Sequence, residues 1–470
     1  MIVVLGVALE VSSAAAQCDC DHEIGLDQEV WDGAENGVQP GDRVCVTAGE
    51  RPFLRIRNLR GSASAPVVVS NCGGRVVIHN DERAYALVVE DDSSHFRLTG
   101  TGDPAHEYGF DISAPAEEPY PGVGVWLVGR SSDYEVDHME IHDTGFAGVS
   151  AKTDPLCDGS ADQGNFVQRN THLHHLWVHD TIGEGFYVGS TQADGQTIRC
   201  DGREEVHQVH FLEGVEIHDN LIENTGWDGA QIGMAREGCR FHHNVIRNVG
   251  LEGVEFQQQG LQIGTYSACE VFANDIRHGP AMGIIVLGAG DLFVHSNLIV
   301  DFPTGDGIYA HQRGVIDGAV YRFAFNTIVG FERNGITVFG EAEASATGNL
   351  VVGEGPGIGG GLAWEDAGNL VYGDESDAGF VGSGDYHLRE DSPAVGAAIA
   401  VADISVDMDN WPRRDPPSAG AYEYRRADEG PPPPRPDPEP MSGGSGGCTV
   451  AGTPAISWSL LLLVGLRRRR

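Results

Sequence analysis

One lysine and a recurrent set of histidines are the residues best suited to do chemistry. Lys152 is the only lysine in a chain of 470 residues. His142, His179, His218, His242 and His295 each stand two positions before an Asn or Thr that recurs along the sequence. Imidazoles brought close together could hold a metal ion or exchange protons near neutral pH. His138, Glu140, His175, Trp177, Glu216 and Arg240 occupy alternate positions nearby. An exposed indole such as Trp177 offers a platform on which a sugar ring can stack. A second set sits in the phrases EGFYV, DGAQI, EGVEF and DGIYA: Tyr187, Gln231, Glu255, Gln257, Tyr309 and His311. Glu184, Asp228 and Glu252 open three of these phrases. Carboxyls roughly 5–10 Å apart across a sugar would suit glycoside hydrolysis. An acid before Gly is also ordinary turn chemistry.

These residues need a scaffold, and a repeat supplies it. The segments VEIHDNLI, CRFHHNVI, CEVFANDI, LFVHSNLI, YRFAFNTI and ATGNLVV align Asn220, Asn244, Asn274, Asn297, Asn326 and Asn349 in one column. A period of two to three dozen residues signals a solenoid. Ile217, Phe241, Val271, Val294 and Phe323 lie three positions before the Asn, and Val215, Cys239, Cys269, Leu292 and Tyr321 lie five before it. That alternation marks a strand with one buried face. Two upstream segments, HMEIHDTG and LHHLWVHDT, fit the same frame with Thr144 and Thr181 at the Asn position. The second phrase of each repeat reads as another strand. Strands this short, joined by Gly or Asn turns, must pair with the next coil in parallel. A recurring Asn can then form a ladder of side-chain amides. The expected fold is all-β, a right-handed parallel β-helix with capped ends. Lys152 should sit level with Gly189 and Gly233, whose missing side chains would open a groove.

The NGVQPGDRV phrase near the start, the N-x-I coils and the DYHL…SPA…GAYEY ending resemble the right-handed β-helix, pectate-lyase-like superfamily. The resemblance implies an exported protein that acts on or binds polysaccharide. In the lyases of that superfamily a Lys or Arg abstracts a proton beside a uronate carboxylate neutralised by Ca²⁺, so Ca²⁺ is the cofactor this resemblance admits, with zinc on the His/Glu lattice as the alternative. Lys152, His179, His218 and Glu255 are the candidate catalytic residues. Trp177, Tyr187, Gln231, Arg240, His242, Tyr309 and His311 are the candidate substrate contacts. The motif sets of polygalacturonases and mannuronan epimerases are absent. A lyase or hydrolase is therefore weighed against a non-catalytic surface protein that binds glycans or serves in adhesion.

Composition agrees with export. The net charge of −39 disfavours nucleic acid as a partner. Glycine, at 65 residues, points to many tight turns. Eight of the nine cysteines precede the tail, and Cys157–Cys200 is the first pairing expected, since both lie in polar, loop-like stretches. Residues 1–16 read as a signal peptide cleaved near Ala16. Residues 20–134 form an N-terminal cap and first coils, and residues 135–426 the main helix with a closing segment from 377. Residues 427–447 are a Pro/Gly-rich linker. Residues 448–470, with Cys448, an apolar run and four terminal arginines, look like a myxobacterial C-terminal sorting tail. That resemblance implies cleavage near Cys448 and transfer to the outer surface; the alternative is a plain C-terminal membrane anchor, and a monomer is expected in either case.

Overall fold

A computed structural model describes residues 18–116, 121–288, 290–311, 318–340, 342–360, 365–426 and 428–435. Each coil of the central region contributes three short strands, so the molecule is a three-faced prism. The coil at its middle uses Phe211–His218 on the first face, Leu221–Thr225 on the second and Ala230–Ile232 on the third. Every one of these pairs in parallel with its equivalent on the next coil. The first two faces belong to a 24-stranded sheet and the third to a 12-stranded sheet. The column Ile217, Phe241, Val271, Val294 and Phe323 is in register through four successive pairings and is buried. Each such side chain contributes roughly 1.5–3 kcal/mol.

The corner between the first and second faces explains the asparagines. The residue before each Asn is left-handed, with φ 53° at Asp219, 55° at His243, 53° at Ala273, 53° at Ser296 and 52° at Phe325. This kink turns the following Asn inward, where its amide must find partners. Asn220 Nδ2 donates to Asn244 Oδ1 at 2.9 Å, Asn244 to Asn274 at 3.1 Å, Asn274 to Asn297 at 2.9 Å, Asn297 to Asn326 at 3.0 Å and Asn326 to Asn349 at 2.9 Å. The ladder runs one coil further, to Asn369, at 2.8 Å. Thr144 and Thr181 are not in this column. Thr181 pairs with Thr225 at the end of the second face. The upstream residue that meets Asn220 is Leu176, whose N–H donates to Asn220 Oδ1 at 3.0 Å.

A glycine column stands where the third face begins. A Cβ on Gly185 would lie 2.6 Å from Ile222 Cγ2, and one on Gly229 2.5 Å from Ile246 Cγ2. The core isoleucines of the second face therefore demand the Gly in the acid–Gly phrase. EGVEF departs from the expected pattern. Residues 251–256 are an exposed loop, and the third-face strand of that coil is Leu261–Ile263 behind Gly260. Gly260, not Gly253, is the residue that packs on a second-face isoleucine, Ile276.

Disulfides join Cys18–Cys72, Cys20–Cys45, Cys157–Cys200 and Cys239–Cys269. The last links directly stacked core positions. The segment after Asp377 runs back along the outside of the coils as well as closing them. Phe380, Tyr386 and Tyr422 pack on outward Val300, Phe325 and Val352 in a second apolar cluster. Ala421 N donates to Thr327 Oγ1 at 2.8 Å.

Candidate functional site

The third face carries the lysine. Its outward column runs Trp126, Ser150, Tyr187, Gln231, Gln262, Ile285, Tyr309 and Thr337. Lys152 follows Ser150, level with Gly189 and Gly233. Its Nζ donates to Asp154 Oδ1 at 2.8 Å and lies 5.2 Å from the Tyr187 ring centre. A Cβ on Gly189 would come 2.0 Å from the Gly233 carbonyl, so close backbone contact demands that glycine. The absence of a side chain beside Tyr187 follows from this contact.

Two acids sit at equivalent positions on adjacent coils of this face. Glu184 and Asp228 are both buried. Burial pushes the Glu184 carboxyl up to about 8, with Asp228 adding to the rise and Lys152 opposing it. Burial likewise lifts Asp228 to about 7 against its hydrogen bonds from Gln259 N and Gln231. Asp228 accepts from Gln259 N at 2.7 Å and from Gln231 Nε2 at 3.1 Å. Glu184 Oε2 has no partner among the described residues. The sequence offered both as hydrolase carboxyls as well as turn acids. The signal that sets Glu184 apart is Tyr187 and Lys152 on the same face.

The first face carries the histidine ladder. The column is His174, His218, His242, Phe272 and His295. Successive rings are stacked with centroids 4.8, 5.0, 4.6 and 5.0 Å apart. Carboxylates hold their outer nitrogens: His174 Nε2 meets Glu135 at 3.1 Å, His242 Nε2 meets Glu216 at 2.7 Å and His295 Nε2 meets Glu270 at 3.3 Å. Burial pushes His242 and His295 down from the usual imidazole range, partly offset by those glutamates. A groove of about 790 Å³ lies between this ladder and residues 403–407, with Arg435 and Asn410 at its wall. Arg435 Nη2 is 2.7 Å from Asp219 Oδ1.

The histidines expected in one column belong to two. His142 and His179 stack at 5.3 Å on the second face, where Trp177 Nε1 donates to Glu223 at 3.3 Å. Lys152, His179 and His218 therefore occupy three different faces of the prism and do not converge. Glu255 lies in the exposed 251–256 loop, although Gln257 beyond it bonds Gln231 at 3.2 Å. Of the expected contacts, Tyr187, Gln231, Tyr309 and His311 share the third face with Lys152. Arg240 and His242 line the groove on the first. His174 was missed because Leu176 replaces the Asn that marks the other coils. Ala16 and Cys448 lie outside the described residues.

Calcium does not fit the described residues. Glu135, Asp137 and His174 bring ligand atoms together, but the Arg97 guanidinium holds both carboxylates. The other two clusters contain disulfide-bonded cysteines. Asp92 pairs with Arg130, and Asp407 accepts backbone N–H groups of Asp409, Trp411 and Glu423.

Three parallel faces, an internal amide ladder and an outer wrapping segment define the class: the chain is a right-handed parallel β-helix protein. Residues 197–376 match the family described as right handed beta helix region. Solved structures of similar fold include pectate lyase Pel9A, at 12% identity over 84% of this chain and 90% of that one, TM-score 0.42. An alginate lyase from Paenibacillus sp. str. FPU-7 shows 15% identity over 75% and 97%, TM-score 0.37. The mannuronan C-5 epimerase AlgE4 A-module of Azotobacter vinelandii shows 14% over 72% and 90%, TM-score 0.39. No curated protein matches the chain by sequence. Four disulfides are the mark of an oxidising, extracellular setting. No helix of the described residues is long and apolar enough to cross a membrane.

Proposed function

We propose that the protein is an exported polysaccharide-binding β-helix, displayed at the cell surface through residues 448–470, whose glycan-facing surface is the third face. One observation carries this reading. Trp126, Tyr187, Gln231, Gln262 and Tyr309 point outward in one column, interrupted by Ser150 and Ile285; Trp126, Tyr309 and the adjacent Lys152 are half-buried, and Tyr187, Gln231 and Gln262 are buried beneath the surface between them. Coils stack about 4.8 Å apart, so an indole and two phenols two or more coils apart along one line suit an extended chain of hydroxyl-rich rings. The overall negative charge favours neutral glycans over anionic ones, with Lys152 the exception on this face.

Cleavage is the second reading, and Glu184 favours it. A carboxyl that keeps its proton to about pH 8 near Lys152 and Tyr187 supplies a general acid on this face. A two-carboxylate hydrolase is less well supported, because both Asp228 oxygens already hold Gln259 and Gln231.

The test is a panel of neutral and uronate polysaccharides, read by retention on the full chain and by unsaturated or reducing-end products. Tyr187→Ala should weaken binding by about three- to tenfold, the worth of one aromatic contact. Products that vanish in Glu184→Gln would select cleavage. Failure of the whole panel to bind would remove the proposal.

A further inference from the structure

The first-face corner has a feature that glycan binding does not need. His174 Nδ1 and His175 Nδ1 face each other at 2.8 Å, and His242 Nδ1 and His243 Nδ1 do the same at 2.8 Å. On the coil between them His218 Nδ1 meets Asp219 Oδ2 at 2.9 Å. Three successive coils thus each present a pair of donor atoms from neighbouring residues. The fold does not ask for histidine at the left-handed corner, since Ala273, Ser296 and Phe325 fill it on later coils.

We propose that these vicinal histidine pairs are chelating sites for a divalent late transition metal of square-planar or octahedral preference, Cu²⁺ or Ni²⁺ rather than Zn²⁺. Three observations lead there. First, Glu135 and Glu216 hold the Nε2 atoms of His174 and His242. A carboxylate on Nε2 fixes the proton there, so Nδ1 of His174 and His242 is the lone pair that accepts the hydrogen bond from Nδ1 of the neighbouring histidine; a metal would displace that single proton and take both nitrogens. Second, two nitrogens 2.8 Å apart subtend about 86° at an ordinary metal–nitrogen distance of about 2.05 Å. Tetrahedral zinc would want them about 3.3 Å apart, whereas cis positions of a tetragonal ion fit. Third, the pairs are reachable: His175 is exposed, and His175, His242 and His243 line the groove. Asp219 stands on the coil between the pairs, about 4.8 Å along the axis from each, at the same corner position as His175 and His243. Arg435 now holds its free oxygen. This inference does not rest on the third face or on any glycan.

The test is titration of the full chain with CuCl₂, NiCl₂ and ZnCl₂, with electron paramagnetic resonance of the copper-loaded protein. Asn tolerates a positive φ, so His175→Asn with His243→Asn removes one donor from each pair and keeps the corner. Wild type should bind two more equivalents of Cu²⁺ than this variant, with nitrogen splitting in a tetragonal spectrum that the variant lacks. Affinity should fall at least tenfold, and Ni²⁺ should out-compete Zn²⁺. Glu135→Gln with Glu216→Gln should weaken uptake by about tenfold. If the double variant misfolds by circular dichroism, each single variant should lose one equivalent. Identical copper uptake and spectra in wild type and the Asn variants, or tighter binding of Zn²⁺ than Ni²⁺, overturns the proposal.

Discussion

Glu184→Gln should make the protein more stable in alkaline solution, and the size of the gain follows from burial. In the fold this carboxyl titrates at about 8, against a reference of 4.5. The folded state therefore holds the proton more tightly than the unfolded chain. For an acid shifted upward, stability is complete below the unfolded value and falls as pH rises toward the folded one. The span of about 3.5 units at about 1.36 kcal/mol each makes the full loss about 5 kcal/mol. About 4 kcal/mol of it develops between about pH 5 and pH 9. Glutamine has the shape of the protonated acid and cannot ionise. Denaturant melts of wild type and variant should therefore nearly coincide at about pH 5 and diverge steadily above it, with the variant the more stable. The neighbouring Asp228, pushed to about 7 by burial, adds its own decline in both proteins, and only its repulsion with Glu184, which the variant lacks, stays in the difference. A gap that stays flat with pH would show that Glu184 is solvated or paired. A gap that widens toward acid would reverse the sign of the reasoning.

Three further outcomes follow from the same geometry. Asn274→Ala removes an oxygen that accepts from both the N–H and the Nδ2 of Asn244 and an amide that donates to Asn297 and to the Phe241 carbonyl. It should cost about 2–5 kcal/mol in a denaturant melt, since each orphaned buried group costs about 1–3 kcal/mol; a loss under about 1 kcal/mol would mean the ladder is incidental. Gly229→Ala puts a methyl 2.5 Å from Ile246 Cγ2 and 2.6 Å from the Gly260 carbonyl. Overpacking should lower stability by at least about 1–3 kcal/mol, and Ile246→Val should fail to rescue it because the backbone contact remains. Removing Cys157–Cys200, which closes a separation of 43 residues, should first expose the Gln196–His207 hairpin to protease. The entropic loss is at most about 4 kcal/mol, and unchanged cleavage kinetics would show the hairpin is held by other contacts.

The sequence revealed the scaffold because one residue type marks one position on the coil. The Asn column is readable since from Asn220 onward a buried amide at that kink bonds the backbone of the coil before it and the amide of the coil after it. The inward column from Ile217 to Phe323 came with it. Cys157–Cys200 was also legible, from polar flanks. The mistakes have one origin. On the upstream coils Leu176 fills the Asn site with an apolar side chain, which erases the marker. The VHDT segment, ending in Thr181, then imitates it one strand later. His179 was thereby placed beside His218, although a corner separates them. In the same way EGVEF copies the acid–Gly strand signature but lacks an isoleucine to pack against, while Gly260 has one.

A prism of this kind also dictates how its sites must be sought. Residues close in sequence, such as His174 and His179, point from different faces, so a local motif does not mark a site. Residues about two dozen apart, such as His218 and His242, stack directly. Chemistry on this scaffold is therefore assembled along the axis, from one residue per coil. The acids Glu184 and Asp228 show the consequence. Each reads in sequence as a turn residue, and burial between stacked coils is what holds a proton on each carboxyl at neutral pH, with Asp228 adding to the rise at Glu184. The paired histidines are the complementary case, since each pair is local but the repetition on alternate coils is axial. An alignment made by coil, with Leu176 set under Asn220, brings His174-His175, His218-Asp219 and His242-His243 into one block.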